Sequence, residues 1–218
     1  MIYEFPSVDA PLRQGDIFFG LPRVEISLRR LPVLDEDDEE TLLHWRDIAA
    51  VGHPVTAILG VSSVVAIVAT QDCDALHSRD ITLCEICPFR DVERKAAQTT
   101  SPKKWKAILT QQARLNQKWF YLPPDERMGF ADKMAVDFRV TLRIPRADLD
   151  DLRDLRRGRL NDMADEHFRE RIAEFFRRYP YDEWYPLNRE EMEAYLEDYP
   201  DSQPFPWQRS AGAPQESG

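Results

Sequence analysis

The sequence predicts an α+β fold. Residues 64–68, which leave no polar face, and residues 81–89 read as core strands. A regularly alternating stretch at 133–144 reads as a half-buried strand, and residues 162–178 carry an apolar stripe at helical spacing. A chain of 218 residues can bury such a core without disulfide or metal staples.

Taken in order, Gln14-Gly15-Asp16 is a turn signal, and the β-prone run at 17–21 follows it. Val24, Ile26 and Leu28 alternate loosely and suggest a second strand over 23–31. The acidic run 35–40 (DEDDEE) repels itself and reads as an exposed loop. Val64, Val65, Ile67 and Val68 then form a strand expected to be covered on both sides. Gln71-Asp72-Cys73-Asp74 lies directly at its end, and residues 81–89 make the adjacent strand, stopped by Pro88. Residues 94–117 are rich in helix formers and read as a helical insertion. The aromatic run 119–122 is a short strand closed by prolines. In 133–144, Met134, Val136, Phe138, Val140 and Leu142 share one face of a regular strand.

The late helix is the clearest element. Ala164, Phe168, Ile172, Phe175 and Phe176 form its stripe, Asn161 suits the N-cap, and Asp165 and Glu166 suit its first turns. Pro180 blocks its continuation. The expected organisation is a domain over 1–150 containing the inserted helix, a C-terminal helix and acidic-aromatic tail over 151–207, and disorder over 208–218. The tail carries Tyr181, Trp184, Tyr185, Tyr195, Tyr199, Phe205 and Trp207, enough aromatic surface to favour folding back on the body.

The net charge of −10 sits in two places. The run 35–40 contributes −6 and residues 182–201 contribute −7, leaving the rest of the chain weakly basic. A polyanion partner is therefore compatible with the body, although no dense basic stripe marks one. The absence of a long apolar run argues against a membrane span, and MIYEFPSVDAPLRQGD lacks the pattern of a secretory leader. Three cysteines, an odd number, read as reduced thiols. The expected setting is cytoplasmic.

Asp72, Cys73 and Asp74 are the first candidate catalytic group. Two carboxylates and a thiol at the mouth of a buried strand suit acid–base work or cation binding, and Asp72 and Asp74 share a face if the strand continues. Gln71 and His77 flank them as candidate binding residues. The alternative reading is a strand-ending turn whose aspartates accept backbone N–H bonds. Cys73, His77, Cys84 and Cys87 have a zinc-like order, C-x3-H-x6-C-x2-C. Cys84 and Cys87, however, are an odd number apart on an extended strand and point to opposite faces, so no metal is assigned. No Walker loop, dinucleotide fingerprint or nucleophile elbow is present, and no cofactor is expected.

The order of pieces resembles the MazF/PemK family of toxins. Gly15-Asp16-Ile17 is similar to the family's first strand, 64–69 to its central strand, and Leu83-Cys84-Glu85-Ile86-Cys87-Pro88 to the next. Residues 136–149 are similar to its closing strand and last helix. The resemblance implies a mainly antiparallel SH3-like β-barrel and RNA cleavage. Ser62-Ser63 stands where the family's Arg-Pro would, so its catalytic arginine is unmatched. Arg143, with Thr141 two residues earlier, is the nearest cationic substitute. The chain also resembles uncharacterised bacterial proteins that share Gln14–Ile17, Gln71–Asp74 and a late helix around Phe168–Arg177.

The leading expectation is a divergent toxin-like or defence-associated protein that acts on RNA or on an antitoxin-like protein partner, with a homodimer left open. The rival expectations are a non-catalytic interaction module and a metal-dependent hydrolase centred on Asp72 and Asp74.

Overall fold

A computed structural model describes residues 2–35, 37–94, 100–106, 118–176 and residue 197. The chain divides into two units, Met1–Phe176 and Arg177–Gly218. The second unit, Glu197 aside, lies outside the described residues, and the acidic-aromatic tail falls there. So do residues 107–117 of the expected insertion.

The strands of the first unit are β1 (Tyr3–Glu4), β2 (Asp16–Glu25), β3 (Leu31–Leu34), β4 (Glu40–Leu43), β5 (Thr56–Ala57), β6 (Gly60–Val68), β7 (Asp80–Pro88), β8 (Trp119–Leu122), β9 (Met134–Pro145) and β10 (Arg156–Leu160). The helices are α1 (Trp45–Val51), α2 (Asp72–His77), α3 (Arg146–Asp151) and α4 (Asp162–Phe176). Seven strands form one curled, half-barrel sheet in the order β1-β10-β2-β6-β7-β9-β8, and every pairing in it is antiparallel. β4, β3 and β5 form a second, smaller sheet.

The centre of the sheet is buried on both faces, because Ala66, Ile67 and Val68 of β6 and Leu83 and Cys84 of β7 send apolar side chains to either side. On one side Ile17, Ile67, Cys84 and Phe138 pack with Phe168 of α4. On the other, Phe18, Ala66, Val68 and Leu83 pack with Ala75 of α2 and Leu149 of α3. The expected neighbours, β6 and β7, pair directly, with Ile67 opposite Cys84. Asn161 caps α4, its side-chain oxygen accepting the Ala164 N–H at 3.0 Å. Phe168 is buried and Ile172 and Phe175 pack beside it, whereas Phe176 is exposed.

Four expectations are corrected. No separate strand begins at Arg23: Gly20, at φ +86°, sits in a bulge between Phe19 and Leu21, and β2 continues through it to Glu25. Val24 then pairs with Val61, and Val24, Ile26 and Leu28 are exposed.

The even-numbered residues of β9 do not share one face. The register with β7 jumps between Asp137 and Thr141, adding an odd number of residues. Val136 and Phe138 therefore join one cluster while Leu142 and Ile144 join the other. Asp137 holds this bulge, accepting the Arg139 backbone N–H at 3.0 Å and its guanidinium at 2.8 and 2.6 Å. Burial opposes the Asp137 charge, but Arg139 outweighs it and holds the carboxyl below its usual range.

The chain does not continue as a strand at Gln71–Asp74. Gln71 is the N-cap residue of α2 and Asp72 and Asp74 lie in its first turn, so they do not share a strand face. Finally, the sheet extends past residue 150: β10 inserts between β1 and β2, and the compact unit runs to Phe176.

Among the described residues no helix is long and apolar enough to cross a membrane.

Candidate functional site

The QGD turn and the start of α2 build one polar cluster with β10 and α4. Gly15 takes φ +82°, and its N–H donates to the Val68 carbonyl at 3.0 Å while its own carbonyl accepts the Leu160 N–H at 3.0 Å. This bridges β6 to β10 and buries Gln14. The Gln14 backbone N–H donates to Asp72 Oδ1 at 2.7 Å, its Nε2 donates to the Ala69 carbonyl at 2.8 Å, and its Oε1 accepts Arg169 Nε at 3.2 Å. Arg13 Nε reaches Asp72 Oδ2 at 3.4 Å.

Asp16 is fully buried and accepts four hydrogen bonds. Oδ1 takes Arg159 Nε at 2.6 Å. Oδ2 takes the Arg13 N–H at 2.9 Å, Arg156 Nη1 at 3.0 Å and Arg159 Nη2 at 3.1 Å. Arg156 Nη2 also donates to the carbonyls of Ser7, Val8 and Ala10, and Arg159 Nη2 donates to that of Pro11. A carboxylate that is fully buried and accepts four hydrogen bonds offers no access to a substrate. Its role is to clamp the segment 7–11 onto β10.

Asp165 differs. Oδ2 accepts Arg169 Nη2 at 2.6 Å, but Oδ1 is buried with no hydrogen-bond partner. A Cβ on Gly15 would stand 2.9 Å from that oxygen. Burial raises the Asp165 carboxyl above its usual value, Arg169 opposes that rise, and the Asp72 charge adds to it.

The expected site residues separate. Asp72 is tied to Gln14 and Arg13, whereas Gln71, Cys73, Asp74 and His77 are exposed around α2. Thr141 and Arg143 are exposed on β9, and the Arg143 guanidinium meets Asp80 Oδ2 at 2.5 Å. Asp72 and Arg143 thus bond to different partners. Cys84 lies in the core with Ile67 and Phe138, whereas Cys87 packs with Phe89, Val92 and Trp119 on another cluster. Burial pushes both thiols up to about 12. Among the described residues no group of three or more His, Cys, Asp or Glu could hold a metal ion. Sequence reasoning missed Arg13, Arg156, Arg159, Asp165 and Arg169. The four on β10 and α4 look, in sequence, like ordinary surface charges, and only the spacing of Gln14 and Asp16 around a glycine hinted at a built turn.

A second candidate is a surface. The outer ends of β2 and β6, with β3, β4, β5 and α1 between them, form what we call the arm. Its own core holds three buried residues, Leu31, Val33 and Ile48. His44 Nδ1 caps α1 by accepting the Arg46 N–H at 3.1 Å, and Gly52, at φ +74°, ends it. At the root of the arm Arg23 Nη1 donates to both Glu85 oxygens, at 2.8 and 2.6 Å. Nine of the thirteen large apolar side chains left exposed among the described residues lie between 24 and 61, each 42–65% exposed. The strand pairings set several beside one another: Val24 faces Val61, and Pro32 lies between Leu42 and Ile58.

No family model, curated protein or solved structure matches this chain. The toxin-family resemblance therefore rests on the sequence pieces alone.

Proposed function

We propose that this chain is a protein-interaction module, in which a half-barrel of SH3-like kind supports the arm and the arm makes the contact. The observation that carries this reading is the concentration of exposed large apolar side chains on an arm with three buried residues of its own. Contiguous apolar surface of this kind marks protein contact sites. Residues 24–61 carry a net charge of −5, which disfavours a polyanion on the same surface.

RNA cleavage, or a metal-dependent hydrolase at Asp72 and Asp74, is less well supported. Arg143 is neutralised by Asp80, and Asp72 already accepts Gln14 and Arg13. A toxin-like or defence-associated setting, with an antitoxin-like protein as the contact, fits such a module and is carried by the sequence resemblance.

The test is a photo-crosslinking residue placed singly at Val24, Val61 and Arg143, with irradiation in the native cell. The expected result is discrete protein adducts at Val24 and Val61 and none at Arg143. Nucleic-acid adducts, or no adduct at either arm position, would overturn the proposal.

A further inference from the structure

We infer that the arm docks a second copy of this chain, edge to edge along β4, so that two three-stranded sheets join into one of six strands. The inference rests on reading the arm as the contact surface. It adds the occupant and the register.

β4 is the open edge of the small sheet: the order is β4-β3-β5, with no strand beyond β4 among the described residues. The ladder fixes which backbone groups face outward. Pro32 lacks an N–H, and its carbonyl accepts the Ile58 N–H at 2.9 Å on the β5 side. In the register Leu31–Leu43, Pro32–Leu42, Val33–Thr41, the residues turned toward β3 are therefore Thr41 and Leu43. Leu42 and Glu40 turn their N–H and C=O groups to the open side. An edge of this kind is a template for another strand.

Side chains alternate in step. Leu43 packs toward the arm's core, whereas Glu40, Leu42 and His44 are exposed and share the other face. His44 is still extended, at φ −90° and ψ 134°, so the pairing surface runs one residue past the strand.

A two-fold axis at Leu42 uses all of these groups. Leu42 of each copy exchanges both backbone hydrogen bonds with Leu42 of the other, as the closely spaced pair of an antiparallel ladder does. Glu40 of one copy then stands opposite His44 of the other, on both sides of a Leu42–Leu42 contact. His44 spends Nδ1 on capping α1 and keeps Nε2 for this partner.

Charge selects the second copy and its direction. The arm has an acidic end, the turn 35–40 with six carboxylates, and a basic end with Arg29, Arg30 and Arg46. Antiparallel docking lays each acidic end over the basic end of the other copy. A parallel arrangement would set the two acidic turns together. A self-complementary patch is what an isologous dimer requires.

The test is sedimentation of the full chain at micromolar concentration, with circular dichroism as the folding control. The expected species has twice the 25.5 kDa chain mass. Leu42→Pro removes an outward N–H and the leucine contact across the axis while taking no hydrogen bond from the ladder to β3, so it should weaken the dimer about tenfold or more. Glu40→Lys and His44→Asp should each weaken it, and the double variant should recover it, because lysine then faces aspartate. Aspartate keeps the cap of α1. A dimer indifferent to Leu42→Pro and to both charge changes overturns the inference. So does a monomer whose Leu42 position crosslinks a different protein, a result that leaves the contact-surface reading standing. A monomer with no arm adduct removes both.

Discussion

Gln14 donates its backbone N–H to the Asp72 carboxylate across 58 residues of sequence, at 2.7 Å. This bond joins the QGD turn to the QDCD segment, and Arg169 of α4 meets the same glutamine from the other side. The three stretches that carry the likeness to uncharacterised bacterial proteins are thus neighbours in space. Their shared polar groups mostly satisfy one another, as expected of a joint that locks elements together.

Asp16 is the strongest single point of that joint. Asp16→Ala would leave Arg156, its side chain 2% exposed, without a counter-charge, and Arg159, 7% exposed, with only Glu4 at 3.9 Å. Breaking a buried pair from one side costs about 3–5 kcal/mol. Urea denaturation should show a loss of that order, and a loss below about 1 kcal/mol would contradict the clamp.

Gly15→Ala should cost about 2 kcal/mol or more. A left-handed backbone alone costs roughly 1–2 kcal/mol for an L-residue, and the new Cβ would stand 2.9 Å from Asp165 Oδ1. Repeating the substitution in an Asp165→Ala background should reduce the loss without abolishing it, because the backbone strain stays. Equal losses in both backgrounds would show that the oxygen exerts no steric constraint.

Asp165 gives the fold a pH dependence. Burial raises its carboxyl above 3.8 in the folded chain, so the folded state holds the proton more tightly than the unfolded one. By linkage the native protein then loses stability as pH rises from about 3.8 through the raised value. Asp165→Asn lacks this ionisation, so its stability relative to the parent should improve from pH 3 toward neutrality. A difference that stays flat with pH, measured by thermal melting, would remove the assignment.

The thiols should divide one to two. Cys73 is exposed, whereas burial pushes Cys84 and Cys87 up to about 12. At pH 8 the thiolate is the reactive form, so one equivalent of disulfide reagent should react with the folded chain and three after unfolding. Rapid reaction of two thiols in the native state would contradict the packing of Cys87.

The strands β6 and β7 were legible from their apolar residues at 64–68 and at Ile81, Leu83, Cys84 and Ile86, and α4 from the stripe around Phe168. Where the pattern meets a bulge it misleads. Phe138 and Leu142 look like one face of a strand, yet the irregular register around Arg139 sends them to opposite sides of the sheet. Asp72 does accept a backbone N–H, as the turn reading expects, but nothing local announces that the donor is Gln14, 58 residues earlier. Asp165 fitted a helix dipole equally well exposed or buried, and only the packing of α4 decided between them. The arm escaped for a related reason. Val24, Ile26 and Leu28 alternate as a buried strand would, and periodicity does not say whether anything lies against it.

The placement of β10 between β1 and β2 has a consequence for synthesis on the ribosome. Tyr3 pairs with Leu160, so the first strand emerges 157 residues before its partner. At about 5–20 residues per second that delay is on the order of 10 s. The strands from β2 through β9 can pair among themselves meanwhile. The carboxylate of Asp16 waits for Arg156 and Arg159 throughout, and their arrival fastens the beginning of the chain. A polypeptide released before residue 156 would hold its central strands but leave residues 7–11 without the clamp of Arg156 and Arg159, an exposed handle for a protease or a chaperone.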